Sequence, residues 1–254
     1  APESDRATFS NEQSSEQGTL RRGSVVSEFE ITRALGETGE IRTRVTLYAG
    51  LRRIEVRTDI LNNEKFVRYR ALFPTTIRSE TSDHEIPFGA IERPDGIEFP
   101  AQNWIDYSDG NHGLALLNRG LPGNNVADGT MMLSLMRSTS IVAYGFGGGY
   151  EPGMSSDTGY ELGKKLGFDY ALVPHAGDWR DASVYRDGLK FNNPLMVRTA
   201  ACRPGVLPSS WGFLEISHPN VVVSALKPGE NGGVVLRLYE AEGKPARTVR
   251  ITPA

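Results

Sequence analysis

The sequence predicts an all-β fold of antiparallel sheets with few or no helices, and three observations predict it. Apolar and polar residues alternate at period two through Ile41-Arg42-Thr43-Arg44-Val45-Thr46-Leu47, and again through Arg53-Ile54-Glu55-Val56-Arg57-Thr58-Asp59-Ile60. That is the pattern of strands with one buried face and one wet, arginine-rich face. The 254 residues hold 28 Gly and 15 Pro, clustered with Asn and Asp, which suits many turns. No alternation of strand and helix patterns argues for a parallel sheet.

The elements follow in order. Residues Ala1 to Gly23 are rich in Ser, Glu, Gln and Arg, show no sustained periodicity, and read as a mobile N-terminal extension over residues 1–23. Ala49-Gly50 makes a turn between the two alternating strands. Further strand segments are Phe66–Phe73, Gly113–Leu117, Met131–Met136, Phe168–Val173, Trp211–Ile216, Asn220–Leu226, Gly233–Tyr239 and Arg247–Ile251. Only Asp181–Phe191 has a helical pattern. Two long loops are expected, Arg78–Asn111 and Ala143–Gly167, long enough to reach over a partner surface or a sugar site. The domain plan is a sandwich over residues 24–200, then C-terminal strands over 201–254 that pack on it or form a small β domain.

Composition narrows the function classes. A net charge of −3 argues against a general polyanion binder, so no nucleic acid is expected. No apolar run approaches the roughly 20 residues of a membrane helix, so no membrane partner is expected. The single cysteine, Cys202, permits no internal disulfide and suits a reducing compartment, so the cytoplasm is expected rather than the cell exterior. Beside Arg203 and Pro204 it reads as an ordinary thiol.

Chemistry-bearing residues are scattered. Asp106 with Asp109, and Asp178 with Asp181, come nearest to a candidate glycosidase pair, but acids on turns usually accept backbone N–H groups. No catalytic residue is assigned. His84, His112, His175 and His218 share no metal-ligand spacing, and no metal site is assigned. His175, at the end of a strand, reads as a structural hydrogen bonder. The glycine-rich run Gly145–Gly153 lacks the Lys-Ser/Thr of a phosphate loop. The segment Asp83–Pro94 packs charges, an aromatic and two prolines into what reads equally as a rigid ordered loop or as a loop held against another surface. Trp104, Tyr107, Trp179 and Tyr185 lie near loops and could stack on sugar rings, although local packing is the plainer role.

Several segments, taken in order, resemble the C-terminal β region of family 38 glycoside hydrolases, the retaining α-mannosidases, and their bacterial members in particular. They are Leu47–Glu55, Arg70–Pro74, Ile86–Pro94, Pro100–Asp109, Gly113–Asn118, Leu133–Ser138, Phe168–His175, Val223–Pro228 and Val235–Tyr239. The resemblance implies a β-supersandwich of the galactose-mutarotase-like type. It implies that zinc and the catalytic aspartates belong to a separate α/β catalytic domain, the expected partner of this chain, and that the substrate is a mannose-containing carbohydrate. It leaves a homo-oligomer open. It assigns Arg137 to substrate binding, against the plainer alternative of an arginine paired with a neighbouring acid. The expected function is therefore a non-catalytic C-terminal domain that supports the catalytic domain and shapes the sugar cleft. The rivals are a standalone carbohydrate-binding module and a mutarotase-like enzyme using His84, His112 or His175. The chain departs from the bacterial pattern at Arg119–Gly123 and Gly159–Lys164.

Overall fold

The computed structural model describes residues 7–36, 38–140, 156–201, 205–206 and 208–253. Seventeen strands and one α-helix lie among them. The strands run β1 (Thr19–Arg22), β2 (Val26–Leu35), β3 (Gly39–Tyr48), β4 (Ile54–Asn62), β5 (Val67–Pro74), β6 (Thr81–Ile86), β7 (Gly89–Pro94), β8 (Phe99–Pro100) and β9 (Trp104–Ser108). They continue with β10 (His112–Asn118), β11 (Gly123–Ala127), β12 (Thr130–Ser138), β13 (Lys164–Ala176), α1 (Val184–Asn192), β14 (Leu214–Ile216), β15 (Val221–Pro228), β16 (Val234–Glu240) and β17 (Ile251–Pro253). Every paired strand is antiparallel. The fold is the all-β sandwich that the alternation predicts.

A nine-stranded sheet has the order β1-β2-β3-β4-β13-β10-β9-β6-β7, and a four-stranded sheet has the order β5-β12-β11-β8. Strand parity explains how they stack, because successive side chains point to opposite faces. Val56 and Ile60 of β4, Ile105 and Tyr107 of β9, Leu116 of β10 and Tyr170 of β13 point toward the small sheet. There they meet Tyr69, Val126, Met131, Leu133 and Leu135. The alternate residues Trp104, Ala115, Leu117, Ala171 and Val173 point the other way, into a second core. Helix α1 closes that core with Val184, Tyr185 and Phe191, which recur along one face. Gly188 lets the helix come close, since a Cβ there would stand 2.7 Å from Trp104 Cδ1. Tyr239, Val222 and Ala241 bring the β15–β16 hairpin onto the same core.

Some expectations are corrected. Thr19–Arg22 pairs with β2 and Ser15 bridges Arg33, so part of the expected extension over residues 1–23 joins the sheet. The expected loop Arg78–Asn111 holds four strands, β6 to β9. Their buried faces carry Ser82, His84, Glu85 and Asp106, polar residues that hide the apolar rhythm of a strand. Of the expected loop Ala143–Gly167, residues 143–155 lie outside the described residues, and β13 already begins at Lys164. The last expected strand, Arg247–Ile251, forms later, at Ile251–Pro253.

Candidate functional site

The site is built on the outer face of the small sheet. In β5, Tyr69 points inward, so Arg68 and Arg70 point outward. In β12 a bulge between Ser134 and Met136 breaks the alternation. Leu135 and Met136 both turn to the core, and Ser134 and Arg137 come to the same outer face despite their odd spacing. Ser134 then pairs with Arg70, and Arg137 with Arg68.

Glu98 sits among these side chains. Arg68 forms an ion pair with it. Arg70 Nη2 stands 3.5 Å from its Oε2, and Arg137 Nη2 stands 3.5 Å from its Oε1. Ser134 Oγ donates to Oε2 at 3.3 Å. Gly123 leaves room, because a Cβ there would stand 2.8 Å from Glu98 Oε1. The Arg68, Arg70 and Glu98 side chains are about three-quarters covered, whereas that of Arg137 is 64% exposed. Beside them opens a groove of about 370 Å³, lined by Glu98, Pro100, Leu121, Gly123 and Arg137 among others. Three guanidinium groups face one carboxylate, which leaves an excess of positive charge and free N–H donors on Arg137 that could reach a ligand's hydroxyl or carboxylate oxygens.

The other candidates take structural posts. Trp104, Tyr107, Trp179 and Tyr185 are each at most 2% exposed, so the sugar-stacking reading of these four fails: they build the cores. Tyr185 Oη donates to the Pro219 carbonyl at 3.1 Å. Asp109 Oδ1 accepts the N–H groups of Asn111 and His112, both at 2.9 Å. Asp178 Oδ1 does the same for Arg180 and Asp181, at 2.8 and 3.0 Å. Asp106 and His175 form a buried pair, Nε2 to Oδ1 at 2.7 Å, with both side chains fully covered. Burial works against the charge of each: it pushes the Asp106 carboxyl up, and for His175 it is outweighed by the aspartate, so the imidazole's affinity for a proton also rises. His84 meets Ser82 Oγ at 3.1 Å, and burial and then Arg93 push its pKa down to about 4. His218 Nδ1 meets Ser217 Oγ at 2.8 Å, and Cys202 lies outside the described residues. Among the described residues no three His, Cys, Asp or Glu side chains converge on a point where a metal ion could sit, so these residues do not fit a zinc site. No helix among them is long and apolar enough to cross a membrane.

Fold and groove together define a class: an antiparallel β-sandwich domain with an arginine-lined outer groove. Comparison with known proteins makes it specific. The model of the glycosyl hydrolases family 38 C-terminal domain matches residues 2–141, and the chain belongs to that family. It is 31% identical over 223 residues to Alpha-mannosidase 2C1 of Homo sapiens, a match covering 82% of this chain and 20% of that protein. It is 27% identical over 216 residues to Alpha-mannosidase G of Dictyostelium discoideum, covering 81% of this chain and 18% of that protein. The chain thus spans about a fifth of the length of these relatives. A solved α-mannosidase from Enterococcus faecalis V583 shares the fold, with a TM-score of 0.82 at 20% identity over 95% of this chain and 31% of the other.

The missed features are the companions of Arg137. Arg68, Arg70 and Glu98 all lie far from Arg137 in sequence, and the β5–β12 register is what brings the two arginines beside it. The bulge that turns Arg137 outward has no signature in the sequence.

Proposed function

We propose that this domain supports the catalytic domain of a family 38 α-mannosidase-type hydrolase and forms part of the wall of its sugar cleft, with Arg137 reaching a polar group of a mannose-containing substrate. The observation that carries the reading is the outward arginine row around Glu98. Arg68 and Arg70 hold Glu98, Glu98 orients Arg137, and the Arg137 side chain still keeps most of its surface open to a ligand. Bond breaking falls to an α/β domain outside these 254 residues. There a retaining pair of carboxylates would form and release a glycosyl intermediate, and zinc would be held. This chain's part is to bind, orient and wall off the substrate. The reducing compartment suggested by its single cysteine fits a cytoplasmic enzyme.

The test is Arg137→Ala in the longer enzyme that carries this domain. A lost hydrogen bond from a charged group to substrate lowers kcat/KM by about ten- to a hundredfold on an aryl α-mannoside. Arg137→Lys recovers only part of it, because an ammonium lacks the guanidinium fork. Unchanged kinetics in both variants would remove Arg137 from the cleft.

A further inference from the structure

The segment that packs charges and prolines, Asp83–Pro94, folds as the β6–β7 hairpin, and its tip has an odd residue. Ile86 pairs with Gly89, so Pro87 and Phe88 form a two-residue turn. Phe88 sits at φ 64°, in the left-handed region that glycine occupies at least cost. It is also 60% exposed, and its ring belongs to neither core. A bulky side chain held in that backbone region and turned toward solvent is the kind of outlier that points to a function. The ring stands edge-on to Tyr239, with centroids 5.6 Å apart and planes at 74°.

Phe88 and Tyr239 flank a cleft of about 650 Å³, bounded by the β6–β7 turn, the C-terminal end of α1 and the β15–β16 hairpin. Its polar lining includes Glu85, Lys190, Asn193 and Ser224. Glu85 is only 7% exposed, and its Oε2 is fixed by the Asn103 N–H at 2.6 Å. The volume is that of a small-molecule site. Lys190 at the rim already pairs with Asp187 at 3.8 Å, so its charge is met there, which suits a neutral ligand better than an anionic one. Aromatic rings at the mouth suit the C–H faces of sugar rings, and a fixed carboxylate with amide and hydroxyl groups suits their hydroxyls.

We propose that this cleft is a carbohydrate-binding site for a short neutral oligosaccharide, separate from the Arg137 groove. The separation is architectural. The cleft is built on the β6–β7 turn, α1 and the β15–β16 hairpin, the groove on the β8, β11 and β12 region, and they have no lining residue in common. The site would hold a glycan away from the cleft wall that Arg137 forms, and it does not depend on the catalytic reading of Arg137.

Calorimetric titration of the 254-residue chain with mannotriose, and with maltotriose as a second neutral probe, tests it. The expected result is saturable binding of at least one of the two. Phe88→Gly weakens that binding about tenfold or more, since it removes the ring that stacks. Its far-UV circular dichroism stays that of the parent, because glycine suits the turn. Glu85→Gln keeps the shape and also weakens binding, whereas Arg137→Ala binds like the parent. No saturable heat with either sugar would overturn the proposal. So would undiminished binding in folded Phe88→Gly and Glu85→Gln, or loss of binding in Arg137→Ala, which would place the sugar in the other groove. Failure here leaves the turnover test of Arg137 standing, and the reverse holds too.

Discussion

The Glu98 cluster and the Asp106–His175 pair both join a carboxylate to cationic nitrogen, and they lie on opposite sides of the molecule's two layers. Glu98 holds three arginines on an outer sheet face, with Arg137 largely in water. Asp106 and His175 sit on the α1 side of the large sheet with no exposed side-chain surface. Water screens the Arg137 contact, so its worth to stability is small and that side chain stays open to a ligand. The second has no water to fall back on, so each partner depends on the other. On the proposed reading the same chemistry serves recognition in one place and the fold in the other, and burial decides which.

The sharpest way to break this comparison is to remove one buried partner. Asp106→Ala leaves His175 beside Gly113 without its acceptor and should destabilise the 254-residue chain by about 3–5 kcal/mol in urea unfolding. A loss below about 1 kcal/mol would mean that the pair does not stabilise the fold.

Titration sharpens the contrast. His84 is neutral in the folded state, with its pKa pushed from 6.5 down to about 4. Its contribution is fully present above about 6.5 and is lost as pH falls toward 4, because the unfolded chain takes a proton that the folded one refuses. His175 shifts the other way. Its contribution is fully present below about 6.5 and is lost as pH rises through the folded value. Glu85 and Asp106, both raised by burial, also favour the acid side, so whole-protein profiles overlay several groups. The difference between the parent and His84→Gln isolates one of them. It should shrink by on the order of 3 kcal/mol between about pH 7 and about pH 4. A pH-independent difference would show that His84 takes its proton as readily folded as unfolded.

The smallest effect belongs to the exposed cluster. Arg137→Ala should change unfolding free energy by no more than about 0.5 kcal/mol. If it costs as much as Asp106→Ala, Arg137 is a structural arginine and its proposed place in the cleft fails.

Particular residues show how much of this was legible in the sequence. The β3–β4 ladder was readable because one face is apolar and the other carries ion pairs such as Arg57–Asp59 at 3.1 Å. Helix α1 was readable from its single apolar face. Strand β9 was not, because four of its five residues are buried and both of its faces meet a core, which removes alternation. Strand β6 was masked by Ser82, His84 and Glu85, which are buried yet hydrogen-bonded. Arg137 was reached only through family resemblance. Its setting among Arg68, Arg70 and Glu98 depends on a bulge and on a register, which are properties of paired strands rather than of either strand alone.

The central claim is that these 254 residues form a folded scaffold that shapes a sugar site while the bond-breaking groups lie elsewhere. The direct measurement is hydrolysis of an aryl α-mannoside by the purified chain, with and without added zinc, beside the longer enzyme that carries it. Turnover by the longer enzyme alone is the expected result. Zinc-dependent turnover by the 254-residue chain itself would contradict the claim.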